Sequence, residues 1–192
     1  MIPELNQSGV LPPFIPEQGP TDPAGMAPYK TTISEFVLRY AHSPERRTIL
    51  RGLLEYRRKL KQVGISNGFQ WLDGSFVEDV ELNRGRPPAD VDIVTFALRP
   101  TNDLEQWKRI VSGNTDLFRP NEAKQKFYCD AYFVDLSTHP LHVVSNTRYW
   151  FGLFSHQRES YLWKGLVEIP ILCGDDEALE ILDREATQCL KS

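Results

Sequence analysis

The chain reads as an α/β (α+β) fold, a small mixed sheet with flanking helices. Three observations predict it. Residues 44–63 carry Ile49, Leu53, Tyr56, Leu60 and Val63 at spacings of four, three, four and three, which makes one apolar helical stripe. The segments ADVDIVTFAL and FYCDAYFVDL are rich in β-branched and aromatic residues and have the length of strands. Helical and strand patterns alternate from one end of the chain to the other, which favours a layered arrangement over a bundle or a sandwich.

Residues 1–30 hold seven of the fourteen prolines and three glycines. Such a stretch cannot continue a helix or a central strand, so it reads as an extended arm. Its Leu11, Phe14, Ile15 and Met26 suit contact with the body of the protein. Helical pattern begins at Thr31. Ser43 can cap the long helix, with Pro44 at its first position, and VGISNG stops it. GFQWLDG reads as a short strand. FVED can open a short helix, and NRGRPP reads as a loop. ADVDIVTFAL is the second strand, bounded by Pro88 and Pro100. Asn102 with Glu105 resembles a capping box for a helix with Leu104, Trp107 and Val111 on its stripe, ended by Gly113. FYCDAYFVDL is the third strand. Residues 140–155 read as helical. WKGLVEIPIL is a further strand, and Pro170 places it at an edge. Asp175 and Asp176 open a last helix with Leu179, Leu182, Ala186 and Leu190 on one face. The units expected are a proline-rich arm (1–30), a core (31–136) and a C-terminal extension of helix and strand packed on it (137–192).

The 192 residues suffice for a core without disulfides or structural metal. The net charge of -4 argues against a surface devoted to DNA, and no sequence-specific DNA binding is expected. Cys129, Cys173 and Cys189 are odd in number and none are paired as C-x-x-C, so reduced thiols are expected rather than a disulfide or zinc framework. MIPELNQSGV has neither the basic nor the apolar part of a signal peptide, and no apolar run is long enough to cross a bilayer. A cytoplasmic protein without membrane contact is the expectation.

Three carboxylates carry the chemistry. Strand side chains alternate in direction, so Asp90 and Asp92 share a face, roughly 7 Å apart. Ile93 to Leu98 beyond them is almost wholly apolar. Two carboxylates at the start of a buried strand repel each other and are costly to desolvate. A divalent cation, Mg²⁺ or Mn²⁺, would relieve both problems. Asp130 repeats the situation in the third strand. If the strands are neighbours, Asp90, Asp92 and Asp130 can converge on two metals suited to in-line displacement at phosphorus. Asp135 competes with Asp130 and reads as a cap at the strand's end. Gly74-Ser75 follows a strand and precedes a short helix. The glycine allows close backbone approach, and the serine offers a hydroxyl and an amide to a phosphate.

The order Gly-Ser, D-x-D, then a lone strand aspartate resembles the nucleotidyltransferase superfamily of DNA polymerase β. The stretch WLDGSFVEDVELNRGRPPADVDIVTF, with RYWFGLFSHQRESYLWKG after it, also resembles DUF6932, a bacterial family of uncharacterised proteins. The resemblance implies a polymerase-β-like nucleotidyltransferase core. It implies that Gly74 and Ser75 contact nucleotide phosphates, that Asp90, Asp92 and Asp130 bind metal, and that Asp130 can take a proton from the acceptor hydroxyl. Two departures stand out. Fourteen residues separate Ser75 from Asp90, more than in compact members. Acidic Glu78 and Asp79 replace the basic residue often found after Gly-Ser, a role left to Arg84 or Arg86.

Arg148, Arg158 and Lys164 lie in the aromatic C-terminal region. They read either as contacts to triphosphate or acceptor, Arg158 and Lys164 foremost, or as surface charges with stems packed on rings. Arg46, Arg47, Arg51, Arg57, Arg58, Lys59 and Lys61 spread around the long helix. Arg47, Arg51 and Arg58 can share a solvated face, with an RNA-backbone role as the alternative. His139 and His142 read as structural, and Trp71 and Trp150 as core. The expected function is transfer of a nucleoside monophosphate from an NTP to a hydroxyl of RNA, protein or a small molecule, with release of pyrophosphate. The alternative is a non-catalytic nucleotide- or protein-binding module of a toxin–antitoxin or phage-defence pair.

Overall fold

The computed structural model describes residues 1–158 and 160–189. Among these, five strands form one mixed sheet in the order β1-β5-β2-β3-β4. The strands are β1 (Tyr29–Lys30), β2 (Gly68–Asp73), β3 (Val91–Ala97), β4 (Cys129–Asp135) and β5 (Val167–Pro170). β2 runs antiparallel to both β3 and β5, while β3 and β4 are parallel, as are β1 and β5. One sheet face lies under α1 (Ile33–Tyr40), α2 (Pro44–Gln62), α6 (Pro120–Phe127) and α8 (Asp175–Cys189). The other is covered only in part, by α7 (Pro140–Phe154), whose Trp150 meets Tyr132 at 4.5 Å and whose Phe151 meets Trp71 at 6.2 Å between ring centroids. Among the described residues no helix is long and apolar enough to cross a membrane.

The helix signals act as their chemistry dictates. Thr32 and Ser43 accept hydrogen bonds from Glu35 and Arg46 amides and so cap α1 and α2, with Pro44 opening the second. Ile49, Leu53, Tyr56 and Leu60 are buried along the predicted stripe. Trp71 and Trp150 are core residues, and Asp135 ends β4, accepting from the Ser137 amide and pairing with Arg99 at 3.0 Å.

Several elements depart from the reading of the sequence. The cap of α4 (Leu104–Gly113) is Asp103 rather than Asn102, because its carboxylate takes both the Glu105 and Gln106 amides. That helix is half-buried at most, and Leu104 faces water. A short α3 (Val80–Arg84) takes the first two residues of the expected loop, and α5 (Thr115–Phe118) and α6 stand where no helix was read. β5 is interior, not an edge. Pro170 is tolerated because β1 pairs only with Val167 and Glu168, so no ladder donor is needed at position 170. The buried face of α8 is Ala178, Ile181 and Leu182, whereas Leu179 is largely exposed; Ala186 and Leu190 lie outside the described side chains.

The basic residues of α2 are the largest correction. Arg46, Arg47 and Arg57 are buried. Arg57, wholly enclosed, donates to Gln70 Oε1 at 2.5 Å, to the Pro170 and Ile171 carbonyls at 2.9 and 3.0 Å, and to Asp175 Oδ1 at 2.9 Å. Gln70 passes the chain on to Thr95 of β3 at 3.0 Å. Arg51, Arg58, Lys59 and Lys61 pair with Asp183, Glu55, Asp116 and Asp175. Arginine's fork reaches several acceptors at once, which lets it cross-link elements from inside. Arg47 is thus buried where a solvated face was expected, whereas Arg51 and Arg58 stay at the surface, 42% and 59% exposed.

Replacing Arg57 by Met removes the arginine donor from the Gln70 amide oxygen and the Pro170 and Ile171 carbonyls and leaves Asp175 with Lys61 alone. A loss of about 3–5 kcal/mol of folding stability is expected, measured as a lower urea midpoint at unchanged slope.

Candidate functional site

The register of three strands builds the site. Asp73, the last residue of β2, lies opposite Asp92, and Asp92 lies beside Asp130. Laterally paired residues point to one face, so the three aspartates stand abreast at one end of the sheet, next to the patch that α7 covers. Asp90 precedes β3 by one residue and lines the same cleft. That cleft, about 300 Å³, has Asp73, Asp90, Asp92 and Asp130 among its lining residues, together with Gly74 and Ser75. Arg84, Arg86, Lys124 and Arg158 line it as well, with exposed side chains toward solvent. It combines an acidic floor with a basic rim.

Gly74 is required twice over. Its φ of +82° suits glycine, and a Cβ there would overlap the Asp92 carboxylate. The chain turns through a 3-10 segment, Gly74–Val77, into α3. Arg46 fixes this turn from beneath, donating to the Phe76 and Glu78 carbonyls at 2.6 and 2.8 Å and pairing with Glu81 at 2.6 Å.

Lys164 is not a surface charge. Only 3% of its side chain is exposed, and its ammonium lies 2.9 Å from Asp73 Oδ1, 2.8 Å from Glu78 Oε1 and 3.5 Å from the Gly74 carbonyl. Burial alone would push its pKa down, but the charges of Asp73 and Glu78 outweigh burial and raise it. Glu78, an acidic departure in the sequence, is thus the residue that helps hold a lysine under the Gly-Ser turn. Gln157 donates to its other oxygen at 2.8 Å. The arm supports the same place. Gly165 donates to the Leu11 carbonyl at 2.8 Å, and a Cβ on it would collide with Pro12 and Tyr29. Asp79 and Asn83 of the α3 region hold the Gly9 and Ser8 carbonyls at 2.8 and 2.9 Å.

The carboxylates strain one another electrically. Burial, then the charges of Asp73, Asp90 and Asp130, push Asp92 up to about 7, with Lys164 opposing. Burial lifts Asp73 to about 6 against the pull of Lys164. Asp90 pairs with Lys124 of α6, whose pKa is raised first by that hydrogen bond.

The expected metal ligands are therefore near one another but not closed around a point. Among the described residues, no group of three or more His, Cys, Asp or Glu side chains is arranged to hold a metal ion by itself. Asp90 is engaged by Lys124, and Asp73 by Lys164. The donor chemistry, hard oxygens with surplus negative charge, suits a divalent cation that takes its remaining ligands from a substrate. Arg158 lines the cleft, but Arg148 is exposed on α7 and is not among the cleft residues. His139 caps α7 and is exposed with His142. Cys129 and Cys173 are free thiols.

Sequence reasoning missed Asp73, Lys124 and the supporting role of Arg46. Asp73 adjoins the Gly-Ser pair, a signal within reach, but its place opposite Asp92 depends on an antiparallel register that the sequence does not spell out. Lys124 sits on a helix that the sequence pattern did not announce.

The linkage of Asp92 has a definite sign. Its folded pKa lies above its ordinary value, so the folded state binds the proton more tightly. That contribution is complete below about pH 4 and is lost as pH rises through about 7. With divalent cations chelated, the Asp92→Asn protein should melt higher than wild type at pH 8 and show a smaller loss between pH 5 and pH 8. Equal melting profiles would contradict the electrostatic account.

No curated protein and no solved structure matches the chain. The family is nonetheless defined: the chain belongs to DUF6932, a family of unknown function, over residues 3–170.

Proposed function

We propose that this member of an uncharacterised family is a metal-dependent nucleotidyltransferase, moving a nucleoside monophosphate from an NTP to a hydroxyl acceptor on RNA, protein or a small molecule. The observation that carries the reading is the row of Asp73, Asp92 and Asp130 across three adjoining strands, beside a Gly-Ser turn and below a basic rim. The order of these motifs is also that of the polymerase-β-like superfamily. Asp90, Asp92 and Asp130 would hold Mg²⁺ or Mn²⁺, which supplies charge neutralisation for the triphosphate and a lowered pKa for the attacking hydroxyl.

The chain's own residues then divide the work. Gly74 and Ser75 receive phosphate oxygens at a turn where no side chain intervenes. Lys164 holds Asp73 and the turn in place from below. Arg84, Arg86 and Arg158 attract and orient the triphosphate from the rim. The acceptor oxygen bonds to the α-phosphorus as the bond to the bridging oxygen breaks. Pyrophosphate leaves, and the acceptor proton passes to Asp130.

A second reading, a non-catalytic partner-binding module, is favoured by the outer side of α7. Leu141, Val144 and Tyr149 are 73%, 66% and 56% exposed there. Such a module would copurify with a stoichiometric protein and transfer no label.

The deciding assay incubates the protein with each α-³²P-labelled NTP and Mg²⁺ or Mn²⁺, with and without total RNA and protein. Label transfer is expected in wild type, with a loss of at least about 100-fold in Asp90→Ala and Asp92→Ala and circular dichroism unchanged. Undiminished transfer in both variants would remove the carboxylates from the mechanism.

A further inference from the structure

The two lysines that neutralise the aspartates are built differently. Lys164 is enclosed and held by Asp73, Glu78 and the Gly74 carbonyl. Among the described residues Lys124 pairs with one carboxylate, Asp90, and its side chain is 51% exposed. Its helix is anchored independently, because Ala123 and Phe127 are buried on the inner side of α6. The backbone is thus fixed while the four-carbon stem can turn. The ammonium is half in water while Asp90 is only 13% exposed, so the lysine can leave readily but the carboxylate needs another cation in its place. Lys124 also lines the same cleft as Arg84, Arg86 and Arg158.

We propose that Lys124 is an exchangeable counter-ion, pairing with Asp90 until a divalent cation takes that carboxylate and then turning its ammonium to the phosphates of the incoming nucleotide. The inference rests on the reading of the cleft as a cation and nucleotide site. It assigns α6 the task of keeping Asp90 neutralised between turnovers and of reporting cation binding to the substrate. One ammonium serves both states, so cation and nucleotide binding are coupled: the cation frees the lysine that the nucleotide needs.

The test reads binding, not turnover. Mn²⁺ is titrated without nucleotide, following the free ion by electron paramagnetic resonance, into wild type, Lys124→Met and Lys124→Arg. ATP, GTP, CTP and UTP are then titrated at saturating Mn²⁺. Lys124→Met should bind Mn²⁺ about 3- to 10-fold more tightly, having lost a competing charge. It should bind the preferred nucleotide about 10-fold more weakly, whereas Lys124→Arg stays near wild type in both. A merely structural lysine would weaken both or neither. Mn²⁺ affinity that is unchanged or lower in Lys124→Met overturns the proposal, as does an unchanged nucleotide affinity. If the opposed shifts are seen but wild type transfers no label, the exchange stands and the transferase reading falls. If label is transferred but the shifts are absent, the reverse holds.

Discussion

Negative charge gathered at one end of three adjacent strands is the constraint around which this molecule is arranged. The pairing of β2 with β3 and of β3 with β4 sets Asp73, Asp92 and Asp130 side by side. A slip of one residue would relieve the crowding, but it would also turn Ile93 and Leu72 out of the core. The hydrophobic pattern therefore holds the carboxylates where their mutual repulsion is greatest. The fold answers with cations brought from far along the chain, Lys164 from beyond α7 and Lys124 from α6. Asp73 and then Glu78 offset the burial of Lys164 and keep its pKa raised in so enclosed a place.

The supports of that arrangement lie in unexpected segments. The proline-rich arm contributes β1 and, nearer its start, the Ser8 and Gly9 carbonyls, which accept from the α3 region, and the Leu11 carbonyl, which accepts from Gly165. Prolines have no amide to donate, but their carbonyls and those of their neighbours still accept. An arm of this composition can therefore tie two segments together without joining a ladder along its length. Arg46 does the equivalent from α2. Buried charges of this kind are weak contributors to net stability, because desolvation consumes most of the attraction. Their use here is geometric: Arg46 and Lys164 hold one turn from two sides.

Much of this was legible in the sequence where a single principle governed. The cap Ser43, the stripe of α2, the three longer strands and the tryptophans of the core followed from local chemistry and periodicity. So did the nomination of Gly74, Ser75, Asp90, Asp92 and Asp130 as one constellation, all of which line one cleft. What failed was whatever required knowing a partner. Arg47 looked like part of a solvated face because helical spacing says where a side chain points, not what waits there, here the Ala41 carbonyl. Pro170 suggested an edge because the shortness of β1 could not be foreseen. Glu78 looked like a defect in a phosphate site until Lys164, 86 residues away, arrived beside it.

The floor and rim of the cleft also differ in what they cost the folded protein. Arg84, Arg86 and Arg158 are exposed, stay hydrated, and are available to a ligand at little expense. The aspartates are largely withdrawn from water, and Asp92 is pushed up to about 7 by burial and by its neighbours. Near neutral pH its negative charge is thus held only part of the time unless a cation stabilises it. A proton and a divalent cation compete for the same carboxylate, and each relieves the same repulsion. The register that builds the site therefore also makes the fold less stable than a row of neutral residues would, as expected of a site whose energetic debt is settled by its ligand rather than by its own packing.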